Sequence, residues 1–140
     1  MSACRSNADT SAVDRVAKSA AMSVRTSVRI GLAAAAGESS FQMRPLFFES
    51  QPVIQSARPD RPAFYEGFIR VLDGAGRVIP ARDFMGTVET TELGRLIDCA
   101  SLELGLDALV REPGLRLAVN MSARSIGYAR WTETLRRGLA

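Results

Sequence analysis

The sequence predicts an α/β domain whose second half follows the strand, helix, strand, helix order of a β/α repeat, behind an N-terminal helical or disordered extension. Three observations predict it. Runs rich in branched and aromatic residues at 45–55 and 63–72 have the composition of strands. Apolar residues then recur at helical spacing over 90–111. A short apolar run at 115–121 leads into a second helical pattern.

Taken in order, residues 1–12 are small and polar and are expected to be disordered. Over 13–36 the composition turns to Ala, Ser, Val and Arg, and the spacing of Val13, Val16, Ala20, Val24 and Val28 predicts a linker helix. The strand over 45–55 holds LFFESQPVI, with Pro52 placing it near an edge or a strand end. SARPDRP at 56–62 reads as a loop from its proline and charge content. AFYEGFIRVL at 63–72 is a second strand, 73–76 a hairpin turn and 77–80 a short run. In the next element Leu93, Leu96, Ile97, Ala100, Leu104, Leu109 and Val110 form a helical stripe. Thr90 or Thr91 caps its start, Glu92 suits its positive first turn, and Pro113 and Gly114 end it. LRLAVNM at 115–121 suits a buried parallel strand, and a helix is expected from about residue 126. The organisation expected is therefore an extension over 1–43 and a domain over 44–140.

Composition limits the chemistry. At 140 residues the chain is long enough for one ordinary core. A net charge of +3 with scattered basic residues lacks the footprint of a nucleic-acid binder. Cys4 and Cys99 sit in unlike contexts, so no disulfide framework is expected and a cytoplasmic setting is the default. Histidine is absent, which removes histidine-assisted nucleophiles and histidine-ligated zinc, so any metal would need oxygen ligands. No apolar run approaches the roughly 20 residues of a membrane span.

Strand alternation puts Glu66, Phe68 and Arg70 on one side of YEGFIR, so a carboxylate and a guanidinium flank an aromatic ring. This fits a structural ion pair on a sheet surface, and it also fits a metal-binding carboxylate beside a phosphate-binding arginine. The same alternation puts Ala118, Asn120 and Ser122 on one face of the later strand. An asparagine there either bonds a neighbouring loop or offers its carbonyl oxygen to a hard cation.

SQPVI at 50–54, YEGFIR at 65–70, GRVIPARDF at 76–84 and LRLAVNMSAR at 115–124 together resemble, in order and separation, the opening motifs of EAL domains. The resemblance covers about residues 44–140. It implies a modified TIM barrel that hydrolyses cyclic di-GMP with Mg²⁺ or Mn²⁺, so the fold expected here is a partial, truncated TIM-like β/α barrel. By the same resemblance Glu66 and Asn120 are metal ligands, and Gln51, Phe68 and Arg70 are substrate-binding residues, with Arg70 meeting a phosphate. The signature tripeptide departs from the family in reading Glu-Gly-Phe at 66–68. The family's later carboxylates and lysine have no counterpart, since Glu133 is the only acidic residue after Asn120 and Lys18 the only lysine. No catalytic set is complete, and the alternative expectation is a non-catalytic module that binds cyclic di-GMP, a partner protein or a second copy of itself.

Overall fold

The computed structural model describes residues 23–33, 41–73 and 75–140, with side chains from residue 46 onward. The described elements are β1 (Ser23–Ala33), β2 (Phe41–Gln55), β3 (Arg58–Leu72), β4 (Val78–Ile79), α1 (Ala81–Val88), α2 (Glu92–Arg111), β5 (Leu117–Val119) and α3 (Ala129–Gly138). A single 3-10 turn at Ala123–Ser125 separates β5 from α3.

The sheet runs β1-β2-β3-β4 with every one of these pairs antiparallel, and β5 joins β3 in parallel. This corrects the expected TIM-like barrel. A parallel barrel needs a helical crossover after each strand, whereas β2 reaches β3 through a two-residue turn at 56–57 and β3 reaches β4 through a tight turn at 73–77. Among the described strand pairs only β3 and β5 are parallel, the chain passing from one to the other through β4, α1 and α2, so a β/α-type crossover is present once, on one edge of an antiparallel sheet.

Other expectations change as well. Residues 23–33 form a strand instead of part of a linker helix, and pair with β2 from Ser23↔Glu49 to Ala33↔Phe41. The physical reason is in the sequence, where Val24, Thr26, Val28, Ile30 and Leu32 alternate with Ser, Arg and Gly at the period of a strand. The remainder of the predicted helix and the disordered tail lie outside the described residues. Because β2 begins at Phe41, the expected boundary at 43/44 falls inside a strand. The loop read over 56–62 is mostly strand, since β3 starts at Arg58 and Pro62 already faces Ile54. Prolines are tolerated at this end because β3 there has β2 as its only strand neighbour among the described residues.

The later elements lie close to their predicted places. Helix α2 buries Ile97, Ala100, Ser101, Leu104 and Ala108, a stripe with steps of three and four, while Val110 lies off it and is exposed. Thr91 is the N-cap residue, but its hydroxyl donates to the Val88 carbonyl and does not cap the helix. Burial pushes the Cys99 thiol up from its ordinary value, against a smaller opposing pull from Arg130. The helix at Ala81–Val88 is an addition to the sequence reading, and it buries Phe84 and Val88 one turn apart.

The core forms where α1 and α2 cover one face of the sheet: Leu46 and Phe48 of β2, Val71 of β3, Phe84 and Val88 of α1, and Ile97, Ala100 and Leu104 of α2. Phe48 is its largest fully buried side chain. The tip of its ring points at Gly67 and reaches Gly105 of α2, and a Cβ at 67 would come within 1.8 Å of the ring's Cζ. Gly105 also faces Val119, where an added Cβ would come within 2.9 Å of Cγ2. Gly67→Ala is therefore expected to cost about 1–3 kcal/mol by overpacking, measured by urea denaturation.

Asp73 organises the β3–β4 turn. Its Oδ1 accepts the backbone N–H groups of Ala75 (2.9 Å) and Arg77 (2.8 Å), and its Oδ2 accepts Arg77 Nε at 2.8 Å. The Arg77 backbone and side-chain donors hold this carboxyl below its ordinary value of 3.8. A lowered folded-state value means that the stabilisation is complete above 3.8 and is lost as pH falls through the folded-state value. The stability advantage of the wild type over Asp73→Asn is expected to be full at neutral pH and to shrink below 3.8, as followed by denaturation at stepped pH.

Candidate functional site

The face of the sheet opposite α1 and α2 carries the residues singled out from the sequence. In β3 the buried positions Gly67 and Val71 alternate with half-buried Glu66, Phe68 and Arg70. The register places Glu66 between Gln51 of β2 and Ala118 of β5. Asn120 lies one step past the last paired residue, Val119, and shares the face of Ala118. Its Nδ2 donates to Glu66 Oε1 at 3.0 Å. Two side chains remote in the chain thus meet because a parallel ladder aligns them.

Arg70 has a different partner from the one its spacing suggested. Its Nε donates to Glu49 Oε2 at 2.8 Å, a diagonal cross-strand pair, since Glu49 sits opposite Phe68 and Phe47 opposite Arg70. The guanidinium carbon lies 5.4 Å from the centre of the Phe68 ring, within the range of cation–π attraction. Glu49 was missed by sequence reasoning. Its signal was an acidic residue on β2 in the same alternation as Gln51.

Two cavities open beside these groups. One, of about 520 Å³, is lined by Gln51, Phe68 and Arg70 together with Val78, Pro80 and Arg82. All three predicted substrate-binding residues therefore border one space, and Arg82 adds a second guanidinium that the sequence reading did not single out. The other, of about 300 Å³, is lined by Phe68, Met85, Ile97, Asp98, Asn120 and Ser122 among others. Phe68 borders both spaces, and Asn120 borders the second.

For a metal, the residue types fit in part. Glu66 offers a carboxylate, and Asn120 offers an amide oxygen once its amide is turned so that Oδ1 replaces Nδ2. Among the described residues no group of three or more His, Cys, Asp and Glu is gathered around them. Two protein ligands hold Mg²⁺ or Mn²⁺ weakly and leave most of the coordination to water or to a bound anion.

The Arg70–Glu49 pair is partly exposed, so its charge contributes little, while the guanidinium of Arg70 also lies over the Phe68 ring. Glu49→Gln is expected to cost less than about 1 kcal/mol. Arg70→Ala is expected to cost more than Glu49→Gln, and paired urea melts of the two variants measure the difference. Among the described residues no helix is long and apolar enough to cross a membrane. Comparison of this chain with protein-family models, curated proteins and solved structures finds no match.

Proposed function

We propose that this chain carries a metal- and phosphate-contacting face for cyclic di-GMP, of the kind found in EAL-type phosphodiesterases, displayed on a small α/β sheet. The observation that carries the proposal is the 3.0 Å approach of Asn120 to Glu66 across adjacent parallel strands. A carboxylate and an amide brought together from remote positions, on the face that also presents an arginine, are the donor types that a hard cation and a phosphodiester require.

In this reading Glu66 and Asn120 hold a Mg²⁺ or Mn²⁺ ion, which supplies charge neutralisation at the phosphodiester and a more acidic bound water. Arg70 receives the phosphate. Only its Nε is engaged by Glu49, which leaves the terminal amino groups for a forked contact with two anionic oxygens. Glu49 and Phe68 keep the guanidinium from swinging away, so less ordering is left to binding. Gln51 offers an amide donor and acceptor at the rim of the same cavity, and Arg82, ion-paired with Asp83 at 3.4 Å, adds a second guanidinium there.

A second reading, a module that binds the dinucleotide without cleaving it, is favoured by the small number of protein ligands around the candidate metal position among the described residues. One experiment separates the two. Calorimetry of the chain with cyclic di-GMP and Mn²⁺ is expected to give an affinity on the order of micromolar, about −8 kcal/mol. Arg70→Ala is expected to weaken it at least about tenfold, a loss of about 1.4 kcal/mol. Glu66→Gln is expected to remove its dependence on Mn²⁺. Appearance of the linear dinucleotide, abolished in Glu66→Gln, selects the phosphodiesterase; binding without turnover selects the module. Absence of heat at high ligand overturns both.

A further inference from the structure

Asn120 is exposed, and among the described residues its side chain bonds Glu66 alone. A lone surface amide can keep such a bond only while its Cα–Cβ bond is aimed at the partner, and that aim is set by the backbone on both sides. Upstream, Val119 is fixed by its pairing with Gly67. Downstream, the chain has left the sheet, yet it does not wander. Two residues on, Ser122 delivers both its backbone N–H (3.0 Å) and its hydroxyl (2.8 Å) to Oδ2 of Asp98 on α2. Ser125, fully buried in the 3-10 turn, adds its hydroxyl to the same oxygen at 2.6 Å.

Asp98 is only 5% exposed, and the groups that satisfy its Oδ2 are one amide and two hydroxyls. A buried carboxylate is costly to place, and here three donors converging on one oxygen offset that cost. An apolar residue packing α2 against the loop would avoid the desolvation altogether. What a carboxylate supplies in addition is direction, because three bonds to one atom fix the loop's position more tightly than hydrocarbon contact does. The loop so fixed begins at Asn120.

We infer that Asp98 is a positioning residue which, through Ser122 and Ser125, holds the Asn120 amide against Glu66. The positioning is a property of the free chain; its bearing on a ligand rests on the cation and phosphate reading above.

The test follows the Asn120 side-chain amide by ¹⁵N–¹H NMR in the ligand-free chain, after assignment through loss of its signals in Asn120→Asp. Asp98→Leu, which removes the acceptor, is expected to move these resonances and to speed their exchange with solvent about five- to tenfold, the scale of one lost hydrogen bond. Asp98→Asn, which keeps an accepting oxygen, is expected to restore most of the wild-type pattern. Leu46→Ala, a core truncation on β2 outside the Asp98, Ser122 and Ser125 cluster, is expected to lower Tm without moving them. Should Asp98→Leu fail to fold, Ser122→Ala/Ser125→Ala removes two of the three donors and gives the same readout. Asn120 resonances unchanged in a folded Asp98→Leu, or in the double serine variant, overturn the inference. Mn²⁺ titration of the same samples reads the other question: a wild type that binds no Mn²⁺ sinks the metal reading and leaves the positioning result standing.

Discussion

The placement of every candidate side chain depends on how β3 is held between β2 and β5. Glu66 has Gln51 on one side and Ala118 on the other only in this register, and the approach of Asn120 follows from it. Because side chains alternate along a strand, a slip of one residue would turn Glu66, Phe68 and Arg70 into the core and expose Gly67 and Val71. The apolar face opposes that slip. Phe48 fits over a position without a side chain, and α2 can approach β5 closely because Gly105 is bare.

The two faces of the sheet divide the chemistry between them. One is closed by α1 and α2 over Leu46, Phe48, Val71 and Leu104. The other carries Arg70 ion-paired with Glu49, and Glu66 hydrogen-bonded to the neutral amide of Asn120. Asp98 is the exception to this division, a carboxylate on the buried side whose bonds reach round the end of β5 to the loop that follows Asn120.

Alternation is local, and what depends on it was legible in the sequence. The shared face of Glu66, Phe68 and Arg70, the shared face of Ala118 and Asn120, and the extent of α2 follow from spacings within one element. Choice of partner is not local. Nothing within YEGFIR says that Arg70 reaches Glu49 instead of Glu66, because that choice depends on a register set by a turn at the far end of the hairpin. Residues 23–33 were misread because Val24 and Val28 satisfy a helical step of four and a strand step of two at once. Helix α1 escaped notice because ARDFMGTV is a short element with a glycine inside it, and its buried residues are few. The antiparallel order of the sheet was hidden by SARPDRP, whose prolines suggest a long loop although the chain reverses in two residues.

The glycine at the centre of Glu-Gly-Phe has a structural explanation that spans two strands. The space a larger residue would occupy belongs to the aromatic ring at 48, so the two positions share a single volume. Sequences that keep this packing are therefore constrained to trade size between them: bulk admitted at 67 has to be surrendered at 48. The bare position at 67 records the dimensions of its neighbour on β2.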